Sequence, residues 1–186
     1  MKNYQEYVNT ALTECSLALN AIPEAKTNLL IDKILAADKV FFVGVGRVFL
    51  SLQSFAKRLA HLGINAHLVG EITEPAITDK DLLIAASGSG ETLFPKEIAK
   101  KAKAFGAEVV MIGSNKESTL ANTADLLVRV PTNTKLSLPD EIQSTQIMTS
   151  LFEQSLLLYG DVIASMIAQR KELDVKKLWR FHANLE

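Results

Sequence analysis

Residues 81–92 read DLLIAASGSGET. Leu82 to Ala86 form a continuous apolar run, and Ser87 to Thr92 place three hydroxyls and two glycines in one corner. A short apolar run bounded by turn residues is the pattern of a strand buried on both faces. Residues 92–105 carry helical spacing, so the corner joins a strand to a helix. Its glycines let the backbone turn sharply and expose its N–H groups. The following helix presents its positive end to the same spot. Ser87, Ser89 and Thr92, spaced S-x-S-x-x-T around Gly88 and Gly90, add donors without adding charge, which suits a phosphate monoester. The plain alternative is an ordinary strand–helix turn capped by Thr92. Pro95 fits the first turn of that helix, where its missing N–H removes no helical bond. Nothing here reads GK[ST], which argues against nucleoside triphosphate chemistry.

Working outward, KVFFVG (39–44), AHLVG (66–70), AEVVMIG (107–113) and LLVRVP (126–131) repeat the short-strand pattern. Helical segments are expected over 47–62, 118–124, 144–170 and 174–182. The first 37 residues are expected to be helical in two pieces joined near Pro23. Strands alternating with helices predict parallel pairing with right-handed crossovers. The fold class is therefore α/β, an open sheet with helices on both faces in three αβα layers. We expect one domain: N-terminal helices over 1–37, a sheet core over 38–131 and C-terminal helices over 144–182. Such sheets bind ligands beyond the carboxyl ends of their strands. The segment IMTSLFEQSLLLYGDVIASMIA (147–168) is apolar nearly all round, so it is expected to be buried on several sides. Either a partner subunit covers it, giving a homo-oligomer, or it is a central core helix under the N-terminal helices.

Composition excludes several classes. The 186 residues are 48% hydrophobic, enough for one substantial core. Net charge is −1, from 20 basic and 21 acidic residues, which is not the balance of a nucleic-acid binder. Cys15 is the single cysteine, so no internal disulfide or cysteine metal cluster can form. No signal-peptide core opens the sequence, and the uninterrupted apolar stretches fall well short of a membrane span. A cytoplasmic protein without membrane or nucleic-acid partners is the expectation.

A second glycine corner, GVGRVF (44–49), follows the first strand. A dinucleotide fingerprint needs glycine at its sixth position, where Phe49 stands, so this GxG is a weak signal. Glu71 is loosely spaced for a ribose-binding acid. Gly46 and Arg47 are better read as substrate-binding candidates. A cation opening a helix is disfavoured by the helix dipole unless an anion sits before it; the alternative is a solvated surface arginine. Arg47, Ser51, Ser54 and Arg58 make one polar stripe. Arg58 lies about 16 Å along the axis from Arg47, too far to share one small anion, and is expected to be an interface or structural residue.

The quoted corners, with FAKRLAHLG (55–63), LVGEITEP (68–75), SLFEQ (150–154) and HANLE (182–186), occur in one order along nearly the whole chain. In this the chain resembles the sugar isomerase (SIS) domain and, within it, the 6-phospho-3-hexuloisomerase family. The resemblance implies a flavodoxin-like, five-stranded parallel sheet assembled as a dimer or tetramer. It implies interconversion of D-arabino-hex-3-ulose 6-phosphate and D-fructose 6-phosphate, in formaldehyde fixation by the ribulose monophosphate route or in pentose supply run in reverse. It assigns phosphate binding to Ser87, Ser89 and Thr92. The chain departs from the family pattern after Arg47, where Val48 and Phe49 replace the usual serine and small residue. Other isomerases of this domain, such as those acting on arabinose 5-phosphate, and non-catalytic sugar-phosphate sensors are the rival readings.

Moving a carbonyl between adjacent sugar carbons needs a carbon base, an acid for the oxygens and a hold on the phosphate, with no metal or redox cofactor. Glu153 sits among Leu151, Phe152 and Leu156, where partial burial would raise its pKa toward a useful value. Ser150-x-x-Glu153 equally fits a helix capping box. The family match of SLFEQ assigns Glu153 as the base, with Glu91 and Glu141 in reserve. His182, with an ordinary pKa near 6.5, suits a proton shuttle between oxygens. The resemblance places a histidine near this end in catalysis, in its own or a neighbouring subunit's site. His61 and His67 are expected to be structural, and no metal-ligand pair is recognised. Thr73 and Glu74 could meet sugar hydroxyls, although Pro75 also fits a plain turn.

Overall fold

The computed structural model describes residues 3–185. The elements, in chain order, are α1 (Tyr4–Asn20), α2 (Glu24–Ala36), β1 (Val40–Val43), α3 (Gly46–Ala60), β2 (Ala66–Leu68), β3 (Leu82–Ala86), α4 (Leu93–Ala104), β4 (Glu108–Gly113), α5 (Thr119–Thr123), β5 (Leu126–Arg129) and α6 (Ser150–Arg170). A 3-10 helix, Val175–Phe181, follows α6. The five strands are all parallel in the order β2-β1-β3-β4-β5. The chain winds from β1 outward to β2, then returns to lay β3, β4 and β5 on the other side. The switch point therefore lies between the carboxyl ends of β1 and β3, where Val43 pairs with Ala85.

Alternation along the buried strands divides the core. Val40, Phe42, Leu82, Ile84, Ala86, Val110 and Ile112 face α1, α2, α3 and α6. Phe41, Val43, Leu83, Ala85, Val109 and Met111 face α4 and α5, where Ala99, Ala102 and Leu120 meet them. Each large side chain removed from water here contributes about 1.5–3 kcal/mol. Burial on both faces is why the strands read as unbroken apolar runs.

The helix expected from 144 begins at Ser150. Residues 144–146 are held instead by Glu14 of α1, whose carboxylate accepts from Ser144 Oγ (2.6 Å), Thr145 N (3.0 Å) and Gln146 Nε2 (3.0 Å). Capturing a backbone N–H and two side chains from another element outcompetes helix propensity in this polar stretch. Met148, in left-handed backbone at φ 57°, completes the break. By length and mean hydropathy (1.3) α6 is apolar enough to cross a bilayer, although Glu153 and Asp161 interrupt its apolar residues. It is instead the central helix under α1, α2 and α3, with 56% of its most apolar window buried inside the fold. Leu157, Leu158 and Val162 remain 39–47% exposed along one side of it.

Candidate active site

The β3–α4 corner is shaped by where its carbonyls go. Gly88 O accepts from Ser114 N and Asn115 N (both 3.1 Å), Ser89 O from Asn115 Nδ2 (3.2 Å) and Gly90 O from Leu120 N (3.2 Å). All three carbonyls are thus tied toward β4 and α5. A trans peptide sends its N–H opposite its C=O, so the amides of Ser89, Gly90 and Glu91, which share those peptides, turn the other way, and Glu91 N donates to Ser89 Oγ (3.3 Å). The N–H groups of Gly88, Ser89 and Thr92 carry no hydrogen bond among the described residues. Gly90 N donates to Ser87 Oγ (3.0 Å), which shares a hydrogen bond with Thr92 Oγ1 (2.9 Å). Thr92 is the N-cap residue of α4, but its side chain makes no capping bond. The hydroxyls are therefore spent on the corner itself and not on closing a helix end. Gly90 sits at φ +68°, and a Cβ there would fall 2.0 Å from Ser118 Oγ. The glycine is required by both conformation and space.

The corner opens on a cavity of about 250 Å³. Ser87, Gly88, Ser89 and Thr92 line one side of it; Val45, Val48, Thr134, Lys135, Met148, Thr149 and Phe152 close the rest. Free amides, hydroxyls and a helix N-terminus make this wall an anion cradle. A larger groove of about 720 Å³ lies along α6 near Arg58, Asp161 and Leu178, with no comparable array of donors.

The neighbouring β1–α3 corner works differently. Gly46, the first residue of α3, lies at φ +59° with open space around it. Arg47 Nε donates to a carboxylate oxygen of Glu153 in an ion pair. The anion before this helix start is therefore a protein group. Glu153 is buried, with its side chain 10% exposed, whereas the Arg47 side chain is 67% exposed. The other Glu153 oxygen accepts from Thr149 Oγ1 (3.0 Å), and Glu153 O accepts from Ser51 Oγ (2.8 Å). Thr149, not Ser150, is the N-cap residue, and no side-chain cap closes α6. The carboxylate is thus not a helix cap. It is fixed by Arg47 and by Thr149, a residue that itself lines the cavity.

The remaining candidates fall into place as follows. Glu91 points away from the cradle, accepting from Thr119 N (2.7 Å) and Thr119 Oγ1 (3.0 Å). These bonds, with a small opposing effect of desolvation and help from Lys96, hold its carboxyl below the usual range. Glu141 is buried and organises the 132–141 loop, accepting from Thr134 N, Thr134 Oγ1, Leu138 N and Ser114 Oγ at 2.8–3.1 Å. Thr73 and Glu74 lie in the exposed turn after β2, where Glu74 Oε2 accepts from Gly70 N. Arg58 pairs with Asp161 of α6 (2.9 Å), a structural tie between two helices. His67 bridges Glu71 (2.8 Å) and Asn65 (2.9 Å).

His182 stacks on His61 and tilts against Trp179, each at 5.2 Å between ring centroids. His61 closes the far end of α3, whose 15 residues put it roughly 20 Å along the axis from Arg47. Within one chain His182 is not at the cradle. Desolvation, then the charges of Lys57 and Arg58, push the His61 imidazole below its usual pKa. Among the described residues no group of three or more His, Cys, Asp or Glu side chains is arranged to hold a metal ion.

Thr134, Lys135 and Thr149 line the cavity yet stand out in no motif. All three lie between β5 and α6, and the one signal for them is topological. A loop that leaves the carboxyl end of a parallel strand comes to the ligand side of the sheet.

Comparison with known proteins places this geometry. A 3-hexulose-6-phosphate isomerase of Bacillus subtilis is 40% identical over 181 residues, covering 97% of this chain and 98% of the relative. One from Methylomonas aminofaciens is 35% identical, with both chains fully covered. A solved Methanococcus jannaschii structure, for which a 3-hexulose-6-phosphate isomerase function was inferred, superposes with a TM-score of 0.83 at 32% identity, covering 97% and 99% of the two chains. The SIS domain model matches residues 33–159, a span that runs from the end of α2 through both glycine corners and past Glu153 to Tyr159. With a matching domain over most of its length and relatives aligned nearly end to end, the chain belongs to the SIS domain family.

Proposed function

We propose that this chain is a sugar-phosphate isomerase interconverting D-arabino-hex-3-ulose 6-phosphate and D-fructose 6-phosphate. The observation that carries the reading is the near end-to-end likeness to curated 3-hexulose-6-phosphate isomerases, in a chain whose switch point holds an amide-and-hydroxyl cradle. In this reading the cradle of Ser87, Gly88, Ser89, Gly90 and Thr92 holds the 6-phosphate. The carbon chain then extends past Phe152 toward Glu153. Glu153 removes the proton from C2 of the 3-ulose, and O3 is protonated, giving a 2,3-enediol. Return of a proton to C3 and loss of the O2 proton yield the 2-ketose, so atoms and charge balance without a redox step. Arg47 and Thr149 orient the carboxylate, and the Gly46 turn sets where Arg47 starts. Thr73 remains a candidate for the sugar hydroxyls in a ligand-bound state.

We assign the oxygen proton shuttle to His182 of a neighbouring subunit in a homo-oligomer, dimer or tetramer. The distance from the cradle within one chain and the exposed Leu157, Leu158 and Val162 stripe on α6 support that reading. We further propose a cytoplasmic enzyme of the ribulose monophosphate route.

The test follows fructose 6-phosphate by NMR in deuterated water. The expected result is solvent deuterium at C3 of fructose 6-phosphate and at C2 of a 3-hexulose product. Absence of both product and exchange ends the proposal. Glu153→Gln is expected to lower kcat by about 10²- to 10⁴-fold with an unchanged fold; full turnover would remove Glu153 as the base.

A further inference from the structure

The cradle offers a phosphate amides, hydroxyls and a helix end, but no full positive charge. A phosphate monoester carries a charge of about −1.5 to −2 near neutral pH. Arg47, the cation read from the sequence as a substrate-binding candidate, is already paired with Glu153. Of the cavity-lining side chains, one is cationic: Lys135. It is exposed, and it has no ion pair or hydrogen bond to its side chain among the described residues.

Lys135 stands on a braced loop. Ile142 N donates to Pro131 O (2.7 Å) and Asn133 N to Ile142 O (3.0 Å), closing the loop at its base. Inside it, the buried Glu141 carboxylate holds Thr134 through both its N–H and its hydroxyl, and holds Leu138 through its N–H. Thr134 also packs against the cradle, its methyl 3.3 Å from where a Cβ on Gly88 would stand. Residue 135 therefore leaves the loop from a fixed point at the cavity wall.

We infer that Lys135 is the charge partner of the ligand's phosphate, and that Glu141 is the positioning residue that sets it over the cradle. This rests on the sugar-phosphate reading above and adds a binding residue to it. The chemistry required of the ligand is a dianionic phosphate monoester, for which inorganic phosphate is the simplest probe.

The experiment compares wild type, Lys135→Met, Lys135→Arg and Glu141→Gln, measuring kcat and KM for fructose 6-phosphate and inhibition by inorganic phosphate over a range of salt. Lys135→Met is expected to raise KM and the inhibition constant for phosphate together by about 10- to 100-fold, with kcat falling far less. Its KM should also lose most of the salt dependence seen in wild type. Lys135→Arg should recover most of the lost affinity. Glu141→Gln should show the same KM-weighted loss in smaller degree, and Lys135→Met carries the test if that variant fails to fold. Phosphate inhibition and KM unchanged in Lys135→Met, with an active wild type, overturn the assignment and leave the isomerase reading standing. A wild type inactive on fructose 6-phosphate that still binds inorganic phosphate in a Lys135-dependent way overturns the isomerase reading and supports the assignment.

Discussion

The β1–α3 and β3–α4 corners sit side by side in the sheet, share one topology and each contain a left-handed glycine, yet they treat charge in opposite ways. At β3–α4 the helix start is left open: the amides of Gly88, Ser89 and Thr92 are uncommitted, and the hydroxyls bond only within the corner. At β1–α3 the helix start carries Arg47 and a protein carboxylate answers it. Even the acidic residues follow this division. Glu91, next to the open corner, is drawn off to Thr119, while Glu153 is drawn in to the occupied one. Two copies of one strand–turn–helix plan thus differ in that one helix start keeps open donors and the other is closed by a resident carboxylate. The electrostatics of a helix start decides little until its side chains have been counted.

The glycines offer the sharpest way to break this contrast. Gly90→Ala forces a left-handed backbone and drives a Cβ to 2.0 Å from Ser118 Oγ. We expect a loss of about 3–5 kcal/mol, read as a fall in Tm of about 10 °C or more. Gly46→Ala meets only the backbone penalty, since nothing lies within 4 Å. It should cost about 1–2 kcal/mol in the same thermal unfolding measurement. Equal losses at the two positions would mean that the corners are not distinguished by packing. Next in size, Ser87→Ala removes the acceptor of Gly90 N and the partner of Thr92. KM for fructose 6-phosphate is expected to rise about five- to tenfold at nearly constant kcat.

The smallest effect is local and depends on pH. The Thr119 N–H and hydroxyl hold the Glu91 carboxyl below its usual range. For a depressed carboxylate, the linkage is present above the unfolded-chain pKa of about 4.3 and is lost as pH falls through the lower folded value. An NMR titration of the Glu91 carboxyl carbon should therefore show a midpoint below that of an ordinary glutamate. A midpoint at or above it would mean that Glu91 is not drawn off to Thr119.

Much of this arrangement is legible in the sequence because its causes are local. Parallel strands buried on both faces leave continuous apolar runs, so all five strands and their crossover helices can be placed. The cradle is equally legible, since its hydroxyls and glycines lie within six residues. The features that escape are those fixed over long distances. Residues 144–149 look helical until Glu14, some 130 positions away, takes the polar groups of 144–146. Arg47 signals an anion, but nothing near it says that the anion is Glu153. Lys135 and Thr149 lie in a polar stretch with no period, and only the folded sheet brings them to the cavity wall.

The clamp that Glu14 places on residues 144–146 also bears on how the protein reaches its working form. Cys15 with Gln154 and Thr27 with Tyr159 make ties of the same span, each joining positions more than 130 residues apart. Contacts of such sequence separation carry a loop-closure cost that local contacts do not, and a high share of them goes with slower folding. Of the first two helices, α1 therefore has its main partner, α6, only once the two ends of the chain are brought together. Since α6 carries Glu153 and Thr149 is its N-cap residue, the cavity is finished by the docking of α6. A chain with a complete sheet and an undocked α6 would present the open corner without the Glu153 carboxylate and without the wall that Thr149 and Phe152 supply.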